Sequence, residues 1–264
     1  MPEGLGLLIR RGVIEQSRRA NVGHIGSGLS IADIVAAFFE GDVSLDPADP
    51  DRDRVILSKG HAALALYAAL NQVGRISDEQ LATFCGDGTP FAVHPEPAVE
   101  GIDFGTGSLG HGLSLGAGAA LGARWQGSSR RTYVLMSDAE CNEGSVWEAA
   151  QFAGHHKLGS LTAIVDLNGQ QALGYTEDVL NLAEMRSAWE AFGWDVHEVD
   201  GHDTAGIVDL FAELPGVEKP SLILARTTFG KGVSFMESKI EWHYWPLSDE
   251  NYTQAMSDLA EVAG

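Results

Sequence analysis

Short apolar segments alternate with helix-like segments along most of this sequence, and that alternation constrains the fold more than any other feature. Strand-like runs lie at residues 54–58, 131–136, 161–166, 194–199 and 221–225, and helix-like runs at 31–39, 62–73, 112–125 and 145–157. Strands that alternate with helices are typical of a parallel sheet covered on both faces. We therefore predict an α/β fold, a parallel sheet with helices on both faces, built as one domain over residues 1–264.

The composition agrees with a soluble enzyme and excludes two classes of partner. Hydrophobic residues make up 44% of the 264 residues and charged residues 20%, which is ordinary for a globular protein. The formal net charge of -20 repels nucleic acid and anionic lipid, so we expect neither nucleic acid nor a membrane as a partner. A phosphate-bearing ligand would need a local positive site, and a metal ion can supply one.

The two cysteines and the apolar runs bear on location. Cys85 and Cys141 are far apart and form no CxxC pattern, as expected of reduced thiols in the cytosol. The first 19 residues contain no apolar signal core, and no run approaches the roughly 20 apolar residues of a spanning helix. We therefore predict a cytoplasmic protein.

Residues 105–110, GTGSLG, match the GxGxxG pattern of dinucleotide-binding loops. Such a loop normally follows an apolar strand and precedes an acidic residue about 20 positions further along. Residues 99–104, VEGIDF, make a poor strand, and the first strong acidic candidate, Asp138, lies beyond another strand. The pattern disfavours an NAD site, although the amides at the start of the following helix could meet an anion.

Asp138 and Asn168, here called the strand-tip pair, follow two successive predicted strands. Asp138 stands in the segment SDAECNEG, and Asn168 comes 30 residues later. Parallel sheets bind ligands at the carboxyl ends of their strands. A carboxylate and an amide oxygen suit Mg²⁺ or Ca²⁺, with a backbone carbonyl, water and phosphate oxygens completing the coordination. We therefore predict a divalent-metal site for a diphosphate cofactor.

Each member of the pair also has an ordinary structural explanation. Asp138 can cap the following helix, and Asn168 can shape a turn. An EF-hand is excluded, because its loop needs Gly at position six, where counting from Asp138 finds Glu143. A zinc site is disfavoured, since His155 and His156 are adjacent and face different sides of a helix.

Several motifs in order make the chain resemble the transketolase family. Asp138, then Glu143-Gly144 and Asn168, resembles the thiamine diphosphate motif, in which GDG is followed by an asparagine. Further matching segments are Gly23-His24 with Gly26 (GHPG in the family), residues 57–62 LSKGHA, His94-Pro95-Glu96, residues 106–112 TGSLGHG, Arg226-Thr227, Gly230-Lys231-Gly232 and His243. The match covers nearly the whole chain and implies the diphosphate-binding (PP) domain of that family.

The resemblance implies how thiamine diphosphate and its metal would be held. The metal ligands would be Asp138, Asn168 and the backbone carbonyl of Gln170. Glu143 matches a glutamate in the carboxylate network that links the two cofactor sites across the family's dimer. The residues implied to lie against the cofactor are His61, Gly107, Leu109, Ala139, Asn168 and His243, with Leu109 near the aminopyrimidine.

The resemblance also implies transfer of a two-carbon ketol unit from a ketose, a sugar or sugar phosphate, to an aldose. Breaking the C–C bond requires removal of a hydroxyl proton, and imidazole can accept and return a proton near neutral pH. The cofactor carries the carbanion, while the protein supplies orientation and proton transfer. With Glu143, the catalytic candidates are four histidines in matching motifs: His24, His61, His94 and His243.

Family members carry two more domains, a pyrimidine-binding (Pyr) domain and a C-terminal domain, and this sequence matches neither. The glutamate that activates the cofactor in the family lies on the Pyr domain. We therefore expect a second subunit with the Pyr and C-terminal domains, an α2β2 assembly, and no activity of this chain alone.

Three positions depart from the family pattern. Ala139 stands at the second glycine of GDG, Ile25 replaces the proline of GHPG, and Tyr244-Trp245 replace a small, glycine-containing segment. Two bulky aromatics beside the expected substrate channel suggest an altered donor or acceptor, or a covered site. Two alternatives remain: ketol or acyl transfer to an unusual acceptor in specialised metabolism, and a non-catalytic PP subunit that scaffolds its partner.

Overall fold

The centre of the fold is a five-stranded parallel sheet, seen in a computed structural model that describes residues 4–214 and 218–262. The strands are β1 (Arg54–Leu57), β2 (Thr132–Ser137), β3 (Leu161–Leu167), β4 (Gln170–Gln171), β5 (Gly174–Tyr175), β6 (Asp195–Asp200) and β7 (Ser221–Arg226). The sheet order is β1-β2-β3-β7-β6, and β4 and β5 form a separate antiparallel hairpin. All neighbouring strands of the large sheet are parallel, so their carboxyl ends meet at one edge.

Helices cover both faces of this sheet. They are α1 (Leu5–Ala20), α2 (Ile25–Ser30), α3 (Ala32–Glu40), α4 (Ala63–Gln72), α5 (Asp78–Leu81), α6 (Gly112–Gln126), α7 (Gly144–His155), α8 (Thr176–Val179), α9 (Met185–Ala191), α10 (Thr204–Glu213) and α11 (Asp249–Val262). Helices α1, α3, α4 and α10 contribute to one buried apolar cluster, and α6, α7 and α9 to the other.

The strands divide their side chains between the two clusters. In β2, Tyr133 and Leu135 join one cluster, whereas Val134 and Met136 join the other. This alternation is what a strand buried on both faces requires, because successive side chains point to opposite sides of a sheet. The predicted α/β fold with helices on both faces is confirmed.

Two findings concern the expected absence of membrane segments and disulfides. Over the described ranges, no helix combines the length and the apolarity needed to cross a bilayer. Cys85 and Cys141 are both free, and Cys141 is buried.

Candidate active site

A cavity of about 350 Å³ opens at the carboxyl edge of the sheet. Most of the site residues predicted from the sequence line it: His24, His61, His94, Leu109, Ala139, Glu143, Asn168, Gln170 and His243. Two others lie beside it. A Cβ added to Gly107 would lie 3.5 Å from His94 Cγ, and Asp138 lines a neighbouring cavity of about 600 Å³. The fold thus gathers the predicted residues at one edge.

Three of the four candidate histidines form a cluster in this cavity. The ring centroids of His24 lie 5.2 Å from those of both His61 and His243, and the latter two are 5.3 Å apart. The His24 backbone N–H donates to the His243 carbonyl at 3.0 Å, and His61 Nε2 lies 3.2 Å from Ser27 Oγ. His24 has φ 62°, so its loop turns sharply just before α2.

Burial keeps the three imidazoles neutral. It lowers the pKa of His243 to about 4, and the nearby His24 and Lys59 add to the effect. Burial, followed by the Lys59 ammonium, lowers the pKa of His61 well below its usual value. Burial, followed by His94, also lowers the pKa of His24. A neutral imidazole can accept a proton, so this cluster can act as a base at neutral pH.

Two glycines of the first histidine loop allow the close contacts that shape the cluster. A Cβ on Gly23 would lie 2.3 Å from the backbone oxygen of Tyr244, and one on Gly26 would lie 2.2 Å from Cε1 of Phe229. A real Cβ cannot approach that closely, so both positions require glycine for this packing. Ile25, which replaces the family's proline, is buried and begins α2.

The strand-tip pair lies on neighbouring strands, since β2 and β3 are paired in register. Both ordinary roles of the pair are present. Asp138 Oδ1 accepts from the Ala139 N–H at 2.7 Å at the start of a short 3-10 helix. Asn168 Oδ1 accepts from the Gln170 N–H at 2.9 Å. In addition, Asp138 Oδ2 accepts from the Gly169 N–H at 2.8 Å, which ties the two loops together.

Asp138 is buried with little to compensate its charge. Burial, reinforced by the Asp166 carboxylate, raises the pKa of Asp138 to about 6. A cation beside it would favour the ionised form. Within residues 4–214 and 218–262, no three His, Cys, Asp or Glu side chains are grouped to hold a metal. A metal here would therefore rely on one carboxylate plus amide and backbone oxygens, a set that suits a hard cation such as Mg²⁺.

A buried ion pair that the sequence analysis missed lies behind the strand-tip pair. The Lys59 ammonium contacts Asp166, and both side chains are almost fully buried. Asp166 also accepts from Ser30 Oγ at 2.7 Å and from the hydroxyl of Thr227. Burial acts to raise the pKa of Asp166, but Lys59 and these hydrogen bonds hold it below its usual value. The available signal was a charged residue at the carboxyl end of each of two apolar strands.

The glycine-rich loop at 105–110 meets an anion, and that anion belongs to the chain itself. The Gly110 N–H donates to Glu140 Oε1 at 2.8 Å, and the Gly112 N–H donates to Ser58 Oγ at 2.9 Å. Glu140 is fully buried, and burial raises its pKa. This loop therefore braces the wall of the cavity through Glu140, a second residue that the sequence analysis did not single out.

Several buried polar atoms facing the cavity have no hydrogen-bond partner among the described residues. They are His24 Nδ1, Asn142 Oδ1, Gln170 Nε2, Gln170 Oε1 and Gln171 Nε2. Buried polar groups in native proteins are nearly always paired. Such a concentration in one cavity is what a site for a polar ligand would show.

The departures from the family pattern fall at the cavity wall and rim. Ala139 lines the cavity, and its amide donates to Asp138. Tyr244 lines the cavity with its ring 4.9 Å from that of His243 and is 58% exposed. Trp245 is equally exposed but packs edge-on against Trp242 instead. Only one of the two aromatics therefore borders the cavity.

Comparison with known proteins supplies a family for this arrangement. The family profile described as transketolase, thiamine diphosphate binding domain, matches residues 7–260. One of the subunits named for the apulose-4-phosphate transketolase of Phocaeicola vulgatus is 40% identical over 256 residues, which span 96% of this chain and 91% of that protein. The 6-deoxy-6-sulfo-D-fructose transketolase subunit SqwG of a Clostridium species is 39% identical, over 96% and 94% of the two chains.

Solved structures agree with these relatives. The crystal structure of the transketolase from Campylobacter jejuni superposes with a TM-score of 0.90 at 30% identity. The alignment covers 97% of this chain but only 42% of that one. This chain thus spans about two fifths of the C. jejuni protein, whereas it spans almost all of the relatives that are named as subunits.

Proposed function

The chain belongs to the transketolase family as its thiamine diphosphate-binding domain, and on that premise we propose that it is one subunit of a two-subunit transketolase. In this proposal it moves a two-carbon ketol unit from a ketose to an aldose. The observation that carries it is the cluster of three neutral histidines beside the strand-tip pair, in a cavity rich in unpartnered polar atoms. The same cavity holds most of the motifs that mark the family.

When bound, thiamine diphosphate supplies stabilisation of the carbanion left by C–C cleavage. Asp138, Asn168 and the backbone carbonyl of Gln170 would hold Mg²⁺, or Ca²⁺, for its diphosphate. The buried, raised-pKa carboxylate of Asp138 and the orphaned atoms of Gln170 fit such a charged, polar group. The remaining contacts proposed to the cofactor come from His61, Gly107, Leu109, Ala139 and His243.

The histidine cluster would handle the protons. A neutral imidazole of His24, His61 or His243 takes the proton from the donor's C3 hydroxyl as the C2–C3 bond breaks, and returns a proton to the new hydroxyl when the acceptor is joined. His94 lines the same cavity and would assist in orienting the sugar. Because burial keeps the rings uncharged, they are in the accepting form at neutral pH.

A second subunit would complete the site. The relatives that this chain matches nearly end to end are named as transketolase subunits. Glu143 is exposed at the cavity rim, where a carboxylate shared between two cofactor sites would lie. We infer that this chain acts as a single PP domain in a cytoplasmic α2β2 assembly, with the Pyr and C-terminal domains on its partner.

The substrate is proposed to be a keto sugar with an anionic end, phosphate or sulfonate, as in the names of two relatives. Of the described residues lining the cavity, the one lysine or arginine is Lys59, and it is committed to Asp166. The anionic end would therefore be bound by the second subunit. Tyr244 favours a related candidate function, ketol or acyl transfer to an unusual acceptor, because its ring narrows the cavity mouth.

Co-expression with the second subunit tests the proposal. The expected result is ketol transfer that requires both thiamine diphosphate and Mg²⁺, and that disappears after treatment with a chelator or in the Asp138→Asn variant. If the assembled protein binds no thiamine diphosphate by calorimetry, the remaining alternative of a non-catalytic scaffold takes its place. If it binds the cofactor but acts only on acceptors other than aldoses, the candidate with an unusual acceptor is supported.

A further inference from the structure

The side chain of Gln170 is buried beside the strand-tip pair and has no partner among the described residues. Gln170 is the first residue of β4 and is only 6% exposed. Neither Nε2 nor Oε1 of its side chain makes a hydrogen bond to any residue in the described part of the chain. Its backbone, by contrast, is fixed, because its N–H donates to Asn168 Oδ1 at 2.9 Å.

The position of this amide is unusual, because it borders two cavities at once. Gln170 and Asn168 line both the 350 Å³ cavity with the histidines and the 600 Å³ cavity that Asp138 lines. The amide thus stands between the carboxylate of the strand-tip pair and the histidine cluster. Gln171, its neighbour in β4, also has an unpartnered Nε2 and lines the smaller cavity.

Leaving both ends of a buried amide unpaired is unfavourable, since it loses its hydrogen bonds to water and gains none. An apolar side chain of similar size would fill the same space without that loss. The amide is therefore best explained by a partner that arrives with a ligand. The partner must offer an acceptor to Nε2 and a donor to Oε1.

We propose that the Gln170 side chain is a binding residue for a metal-complexed diphosphate, with Nε2 donating to a phosphate oxygen and Oε1 accepting from a water bound to the cation. A hydrated metal–diphosphate offers both kinds of group, whereas a bare anion offers only acceptors. This inference rests on the proposed function, and it concerns the Gln170 side chain, not the backbone carbonyl proposed as a metal ligand.

The decisive variant is Gln170→Met, which keeps the volume and removes both polar atoms. Because the proposed metal ligands all lie on this chain, the full chain is titrated by calorimetry with Mg²⁺ plus inorganic pyrophosphate and with Mg²⁺ plus thiamine diphosphate. The expected result is an affinity about ten- to a hundredfold lower for both ligands, as for loss of a hydrogen bond to a charged group. The melting temperature of the ligand-free chain should stay the same or rise, because two orphaned atoms are gone.

Two further variants make the outcome decisive. Gln170→Glu retains an acceptor but adds negative charge, and should weaken pyrophosphate binding at least as much as Gln170→Met. Gln151→Met alters an exposed glutamine on α7 and should change neither affinity nor melting temperature.

The failures of the inference and of the proposed function can be told apart. Equal affinity of wild type and Gln170→Met for both ligands overturns the inference and leaves the proposed function standing. A lower melting temperature of ligand-free Gln170→Met with unchanged affinity also overturns it, because the amide then has a structural partner such as a fixed water. If wild type binds neither ligand, the inference and the proposed cofactor fall together.

Discussion

Asn168 donates a hydrogen bond of 2.7 Å from its side-chain nitrogen to Asp166, the carboxylate that also contacts Lys59. This contact fixes which end of the Asn168 amide faces Asp166 and leaves its oxygen on the side of Gln170. A carboxylate behind a ligand side chain commonly sets the orientation of that ligand. The buried ion pair is therefore part of how the strand-tip pair is positioned.

Breaking this ion pair should be costly, and removing both charges much less so. Lys59→Met leaves Asp166 buried without its counter-charge and should lower the free energy of unfolding by about 3–5 kcal/mol. The double variant Lys59→Met/Asp166→Asn should recover most of that loss, because neither charge remains. Denaturant unfolding of the two single variants and the double variant measures the coupling. Simply additive losses would show that the pair does not stabilise the fold as described.

The pH dependence of stability should carry the signature of His243. Its pKa is about 4 in the folded chain, against an ordinary value of 6.5, so the unfolded chain alone takes up this proton between those values. Stability is therefore lost as the pH falls from 6.5 towards 4. Asp138, with a folded pKa of about 6, contributes in the opposite direction, since the folded state binds its proton first.

Because these contributions oppose each other, the wild-type curve alone is uninformative. The His243→Gln variant should gain stability relative to wild type as the pH is lowered from 7 to 5. Urea unfolding of the cofactor-free chain at both pH values measures the difference. A difference that is independent of pH would contradict the assignment of a buried, neutral His243.

Glycine substitutions should separate close packing from helix propensity. Gly23→Ala places a Cβ 2.3 Å from the backbone oxygen of Tyr244 and should destabilise the chain by about 1–3 kcal/mol. Gly118→Ala is the matched control, because nothing lies within 4 Å of the added atom on the exposed side of α6. It should stabilise the chain by up to about 1 kcal/mol through helix propensity. Thermal unfolding of both variants gives the comparison, and equal effects would refute the contact.

Glu143 should matter to the assembled enzyme and not to the fold of this chain. It is exposed, so Glu143→Gln should change the free energy of unfolding by less than about 0.5 kcal/mol. In the assembly with the second subunit, the same variant should lower ketol transfer at saturating cofactor. Glu148→Gln, another exposed glutamate on α7, serves as the control. Full activity of Glu143→Gln would remove Glu143 from the proposed carboxylate network.

The central strands could be predicted because strands buried on both faces consist of continuous apolar residues. The run at 131–136 became β2 (Thr132–Ser137), and 161–166 became β3 (Leu161–Leu167). Helix α1 escaped prediction because its buried face includes Arg10, which pairs with Asp33 of α3. A charge on an inward face hides the apolar periodicity, and only tertiary contacts show that it is compensated.

The site divides along similar lines. Gly23 and Gly26 are visible in the sequence because close approach demands glycine at fixed spacing. The contact between Lys59 and Asp166 joins residues 107 positions apart, so no local pattern announces it. The orphaned amide of Gln170 is equally hidden, since whether a glutamine is paired depends on everything folded around it.

The order of strands in the sheet has a consequence for how the chain is made. Strand β7 lies between β3 and β6, although β6 precedes it in the sequence. On the ribosome, β6 emerges first and has no neighbour in the large sheet until β7 follows. Thr227, just after β7, is also the last partner of Asp166 to be synthesised. A nascent chain that pauses before β7 would therefore expose two unpaired strand edges, which makes that point of translation the most prone to aggregation.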